Sequence, residues 1–393
     1  MTESKRTILL LAVAQALYSC CIITVFATAG LVGLNIAPSP AWATLPVTTF
    51  VLGAMFTTVP ASLLMQRLGR KPIFLVGAGV SIIGAALAVW SIMTANFAAF
   101  CFATALQGVF QATSGFYRFA AAEAADDASK SIAISWVLTG GVVAAIAGTL
   151  ISNYSSDLIA THTFAGSYAA ASILALINAA VVMQLRIPKP VESDIGGAAR
   201  SWPELLRQPK LIVAMPAAMV SYSLMNLMMT AAPVAMIGCG FTKSDASWVI
   251  QWHVLAMFVP SFFTGQLIKR YGAEKITAVG LLLLMLAAMA GLAGISFSHF
   301  AVALIILGLG WNFGFIGATT MLTDCYRPSE RGKVQAVNDL GISVLMVIAS
   351  SSSGFILADW GWHAVPLALF PPAAIALVLL GWLAVMQKPA AAN

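Results

Sequence analysis

The chain has 393 residues, of which 60% are hydrophobic and only 9% charged, with a net charge of +6 and a mean hydropathy of +0.92. A soluble domain carries about a quarter charged residues, so this composition excludes one and describes an integral membrane protein. Cys20, Cys21, Cys101, Cys239 and Cys325 stand in or at the ends of apolar runs without CxxC or CxxH spacing, and read as small core residues, neither zinc ligands nor a redox pair.

Apolar runs near the 20 residues or so that a bilayer requires occur at 8–33, 42–65, 73–94, 97–122, 133–152 and 165–186. Six more follow at 209–235, 244–268, 275–296, 298–323, 334–358 and 362–386. They are expected to be twelve spans of an all-α membrane protein. The first follows Lys5 and Arg6 and precedes Ala41-Trp42-Ala43, which mimics a signal peptide and its cleavage site. Its length exceeds the 7 to 15 residues or so of a secretory core, so it is read as an uncleaved helix. It carries Gln15, Tyr18 and Ser19 among its apolar residues.

The fourth run is the most polar. Thr104, Gln107, Gln111, Ser114 and Arg118 fall within an arc of about 80° at 100° per residue. In lipid an arginine at mid-helix costs about 2.5 to 3.5 kcal/mol even on the lenient scale. The stripe is therefore expected to face protein or a water-filled cavity. Arg118 either contacts substrate or snorkels to the cytoplasmic phosphates. Span 5 adds Trp136 and Thr139, and span 7 adds Tyr222, Asn226 and Thr230 at i, i+4, i+8. Span 8 carries Trp248, Gln251, Trp252 and His253, and span 10 carries Trp311 and Asn312 in GLGWNFGFIG. Helix-to-helix hydrogen bonding is the alternative role of Asn226 and Asn312. Gly310 and Gly314 form a GxxxG pair suited to close helix packing.

The segment 186–210, with four prolines and mixed charge, divides the chain into a bundle at 1–187, a cytoplasmic linker at 188–208 and a second bundle at 209–393. Ser201-Trp202-Pro203-Glu204 reads as a capped short helix. Of 20 Lys and Arg residues, 18 fall on one side of the expected spans; Lys243 lies opposite and Arg118 within a span. Basic loops face the cytoplasm, so both termini are expected there, in the cell (inner) membrane. The charge is thus a topology signal, and no nucleic acid is implied.

The loops SLLMQRLGRKP at 62–72 and GQLIKRYGAEK at 265–275 superpose with Gly69 on Gly272, an offset of 203 residues. Parallel six-helix repeats of this kind mark transporters with a midplane substrate site. Both loops resemble the signature loop of the major facilitator superfamily, G-x-L-a-D-R-x-G-R-K. Arg67, Gly69, Arg70 and Lys71 match in the first copy, where Gln66 replaces the aspartate; Gly265, Leu267, Arg270 and Gly272 match in the second. RPSERGK at 327–333 is also similar to the family's loop after span 10. The resemblance implies two pseudo-symmetric six-helix bundles, alternating access, and a gating role for the signature loops. Glu123 is expected to pair with Arg70 or Arg67, and Asp324 with Arg270 or Lys269; solvated helix ends are the alternative. The resemblance also places span 4 on the central cavity.

No ATP or hydrolase motif occurs, and neither enzymatic activity nor a cofactor is expected. A deep carboxylate of the proton-coupled relatives' kind is missing from spans 1, 2, 4 and 5, which leaves His253 and Asp339 as candidates for proton coupling. A hydrogen-bonded core histidine is the other reading of His253. Thr149 stands where drug antiporters of the family have a proline in span 5, and Thr104 where many relatives have an arginine. The function expected is a monomeric secondary transporter for a small planar or amphipathic organic solute, such as an aromatic metabolite, vitamin or drug, with the lipid bilayer as its surroundings. The alternatives are a facilitative or proton-coupled drug or metabolite exporter, and a transporter-like membrane receptor.

Overall fold

The computed structural model describes residues 3–125, 130–187 and 200–387, and among these every regular element is a helix. In chain order they are α1 Glu3–Ile36, α2 Leu45–Leu68, α3 Arg70–Met93, α4 Phe97–Ser114, α5 Tyr117–Ala124, α6 Lys130–Ser155 and α7 Ala165–Met183. They continue with α8 Trp202–Leu205, α9 Pro209–Gly238, α10 Lys243–Phe258, α11 Ser261–Tyr271, α12 Ala273–Leu292, α13 Phe297–Thr323, α14 Arg331–Trp360, α15 Ala364–Leu367 and α16 Phe370–Met386. Nine helical stretches among the described residues are long and apolar enough to cross a membrane, and α10 with α11, bent by 42°, makes a tenth. The other two expected spans are helical as well: α6 covers one, and α4 with α5 covers the other.

The chain forms two compact units, Met1–Glu192 with Gly240–Gln251 and Ser193–Cys239 with Trp252–Asn393. In the first, α1 packs on α6 and α7, and α3 on α4 and α7; in the second, α9 packs on α14 and α16, and α12 on α13 and α16. The same neighbour pattern thus recurs in each repeat. Small residues set these contacts. A Cβ added to Gly280 of α12 would land on the backbone N and Cα of Gly314, and one on Gly310 would lie 2.9 Å from Leu284 N, so the GxxxG pair of α13 is the contact surface with α12.

The signature loops are turns of minimal length. Gly69 ends α2 and starts α3 at φ +88°, and Gly272 does the same between α11 and α12 at φ +91°, a backbone region that L side chains rarely adopt. The short helix α8 follows its cap, with Glu204 accepting from the Ser201 backbone N–H at 3.2 Å. The start of α10 packs with the first unit: Lys243 forms an ion pair with Asp157 and donates to Ser156 Oγ at 3.0 Å.

Two expected spans differ in shape from a simple rod. Helix α4 stops at Ser114, and the chain turns through Gly115 and Phe116 before α5 begins at Tyr117. Span 8 breaks at Val259-Pro260 because Pro260 has no N–H to offer the preceding turn.

Candidate functional site

The stripe of α4 does not act as one surface. Gln107 is buried and spends its whole amide on α3: Oε1 accepts from Ser81 Oγ at 2.8 Å, and Nε2 donates to Ser81 O at 2.9 Å. Thr104 meets Thr49 of α2 at 2.8 Å. These two residues fasten helices to one another, and the Gln107 amide is engaged by α3. Gln111, half-buried, accepts from the Tyr18 hydroxyl of α1. Ser114 is buried at the end of α4, while Arg118, beyond the turn, is exposed with its guanidinium 4.8 Å from the Phe119 ring centroid. The arc of about 80° assumes one continuous helix, and the chain departs from regular helix at residues 115–116, between Ser114 and Arg118.

Around Tyr18 the first unit builds an aromatic and amide network. Its ring meets Phe110 and Tyr117 edge-on at 5.4 and 6.2 Å. Tyr117 donates to Asn178 Oδ1 of α7 at 3.0 Å, and Asn178 Nδ2 donates to Ala14 O of α1 at 2.8 Å. Gln15 Nε2 donates to Ser19 Oγ at 3.2 Å on its own helix. Trp136 is exposed.

The second unit gathers aromatics between α9 and α13. Trp311 and Phe315 lie parallel at 5.3 Å and 13°, and Tyr222 meets both edge-on at 5.4 and 5.1 Å. Phe258 stands 6.3 Å from Trp311. Tyr222 and Phe315 are half-buried, so part of their ring surface is uncovered. One turn along α9, Asn226 Nδ2 donates to Met346 O of α14 at 3.3 Å. Trp252 is exposed. Phe315 was not singled out by sequence, although its i+4 spacing from Trp311 places it on the same helix face.

Asn312 is fully committed to the broken span. Its Nδ2 donates to Met257 O and Ser261 Oγ, both at 2.7 Å, and its Oδ1 accepts from Thr264 Oγ1 at 2.6 Å. It supports the bend, which is the helix-to-helix role that the sequence offered as the alternative to a solute contact. His253 is fully buried, with Nδ1 2.7 Å from Leu304 O of α13; Nδ1 carries the proton in that bond and Nε2 has no partner. Asp339 lies exposed in α14, accepting from Asn338 Nδ2 at 3.2 Å.

At the loops, Arg70 grips Glu123 with two parallel hydrogen bonds, the Nε one at 2.8 Å to Oε2. Lys71 donates to Met183 O at 2.6 Å, while Gln66 and Arg67 are exposed. Asp324 pairs with neither Arg270 nor Lys269. Lys210, at the start of α9, bridges Asp324 at 2.7 Å and Glu274 at 3.0 Å, whereas the Arg270 guanidinium lies over Tyr271 at 5.2 Å. Gly265 has open space around it. A further pair escaped the sequence reading: Arg200 binds Glu330 through Nε at 2.8 Å and Nη2 at 2.7 Å, and Nη2 also reaches Cys325 O at 3.0 Å. These bonds hold the Glu330 carboxyl well below the usual carboxylate range and raise Arg200 above its ordinary value.

The model of the Major Facilitator Superfamily matches residues 9–241 and 214–393, which together take in almost the whole chain. The chain belongs to this superfamily. It is a multi-pass membrane transporter of that type. It is 44% identical over 382 residues to the riboflavin transporter RfnT of Brucella anthropi, an alignment covering 96% of each chain. It is 26% identical over 383 residues to the uncharacterized MFS-type transporter YdeG of Bacillus subtilis, covering 92% of this chain and 88% of that one. Among solved structures, the nucleoside transporter NupG superposes with a TM-score of 0.75 at 13% identity, covering 99% of this chain and 100% of NupG. A POT family peptide transporter superposes with a TM-score of 0.73 at 12% identity, covering 99% and 98%. At those identities the structural likeness speaks for the fold alone.

Proposed function

We propose that this superfamily transporter carries a flat, vitamin-type solute, riboflavin being the compound of choice, by alternating access with both termini in the cytoplasm. The observation that carries the reading is the 44% identity to a riboflavin transporter, which runs along 96% of both chains. The aromatic group of Tyr222, Trp311 and Phe315 supports it, because a tricyclic ring finds stacking surface there. The paired loops at Arg70–Glu123 and Lys210–Asp324 supply the gate ends of each repeat in this reading.

The test is uptake of radiolabelled riboflavin into liposomes holding the purified protein, with unlabelled nicotinate and uridine as competitors. Saturable uptake that unlabelled riboflavin suppresses and the other two do not is the expected result. Uptake no faster than in protein-free liposomes overturns the reading.

A further inference from the structure

Buried polar atoms in this protein are ordinarily paired. Asn312, Asn178 and Gln107 each use both ends of their amides. Among the described residues eight buried side-chain polar atoms lack a hydrogen-bond partner: Ser114 Oγ, Ser221 Oγ, His253 Nε2, Asn338 Oδ1, Thr319 Oγ1, and Asn226 Oδ1, Thr230 Oγ1 and Trp311 Nε1, of which the last three lie on the two helices that carry the Tyr222–Trp311 contact. In hydrocarbon a polar atom of this kind is penalised, so each calls for an explanation.

The positions of these three are related. Tyr222, Asn226 and Thr230 share one face of α9 at i, i+4, i+8, and Trp311, Phe315 and Thr319 share one face of α13 at the same spacing. The two faces meet where Tyr222 touches Trp311 and Phe315. Trp311 Nε1 belongs to the aromatic patch itself, and Asn226 and Thr230 follow Tyr222 by about one and two turns of α9 at 1.5 Å per residue.

We infer that these two faces form a single subsite that stacks a flat heteroaromatic ring and reads its hydrogen-bonding edge. The chemistry of the edge follows from the atoms left open. Trp311 Nε1–H can only donate and Asn226 Oδ1 can only accept, while the Thr230 hydroxyl does either. The matching ligand edge presents an N–H beside carbonyl oxygens, which is an imide or lactam. The Trp311–Phe315 stack supplies the flat surface, and the uncovered parts of Tyr222 and Phe315 leave room to extend it. This assignment rests on the riboflavin reading for its probe, since the isoalloxazine ring of riboflavin carries such an imide.

The experiment is a binding titration of the purified protein in detergent, following quenching of flavin fluorescence by ring stacking. The probes are riboflavin and its derivative methylated at the imide nitrogen. The methylated compound cannot donate to Asn226 Oδ1 and should bind about five- to tenfold more weakly. In Asn226→Leu that difference should vanish, and Thr230→Val and Trp311→Phe should each weaken riboflavin severalfold. The two probes are compared on the unaltered protein, so a variant that fails to fold does not block the decision. Equal affinity of the unaltered protein for both probes, with riboflavin still bound and transported, overturns the subsite and leaves the proposed function standing. No riboflavin binding at all overturns both.

Discussion

Replacing Asn312 with leucine isolates the support of the broken span, because the two side chains are close in volume and the change removes hydrogen bonds without opening a cavity. Three bonds are lost. Thr264 Oγ1 also lies 2.8 Å from Pro260 O and keeps that acceptor, so the stranded group is the Met257 carbonyl. An unsatisfied buried acceptor costs about 1 to 3 kcal/mol. Side-chain hydrogen bonds within membranes average nearer 0.6 kcal/mol and reach about 1.7, because partly unfolded helices in lipid find other partners. The expected loss is therefore about 1 to 2 kcal/mol, at the upper end of the membrane range because one residue serves three groups. Equilibrium unfolding in mixed micelles with increasing dodecyl sulfate measures it. Gln184→Leu is the control: its Nε2 reaches only Ala180 O, at 3.3 Å on its own exposed helix end, and a change within about 0.5 kcal/mol is expected. An Asn312→Leu protein as stable as that control would refute the argument that this amide closes the break.

Gly280→Ala should cost about 1 to 3 kcal/mol or more by forcing α12 off α13, while Gly265→Ala should be neutral because nothing lies within 4 Å of its added Cβ; equal melting points for the two would contradict the packing described. Charge reversal at Arg70 or at Glu123 should each impair transport, and the double reversal should restore part of it, since the two side chains meet directly; purely additive damage measured in the liposome assay would separate them. Glu330 has a depressed pKa in the folded protein, so its contribution to stability is full above the ordinary carboxylate range and is lost as pH falls below it toward the folded value. The melting-point gap between the unaltered protein and Glu330→Gln should be constant near neutrality and shrink on acidification below that range; a gap that widens there would reverse the sign of the linkage.

The fold was legible because a bilayer requires an apolar run of about 20 residues for each span and because the two repeated turns need glycine at positive φ. Those glycines are Gly69 and Gly272. The site was legible only in part. Tyr222, Trp311 and Asn226 could be picked out as polar or aromatic residues on expected inner faces, yet periodicity does not distinguish a residue that faces a solute from one that faces another helix. Gln107 illustrates the limit, since the partner that consumes it, Ser81, is 26 residues away and is an ordinary small residue in α3. For Asn312 the sequence left a solute contact and a helix-to-helix bond both open for a related reason: Pro260 shows that a turn of span 8 loses a backbone bond, but which neighbouring helix repairs it depends on tertiary packing. Among the ion pairs, Arg70–Glu123 forms between two of the residues named for it, whereas the partners of Asp324 and Glu330 were not legible. Lys210 and Arg200 were counted as cytoplasmic charge, a statement about sides of a membrane, and that count carries no information about partners.

The break in span 8 also bears on how the protein is made. Synthesis runs from the amino terminus, so α10 and α11 leave the ribosome before Asn312 exists, and for that interval the Met257 carbonyl has no closing donor from α13. Span 8 can be threaded early, but its bend acquires its native support only when span 10 arrives beside it. A chain truncated before residue 312 therefore lacks the donor that closes the Met257 carbonyl at the bend.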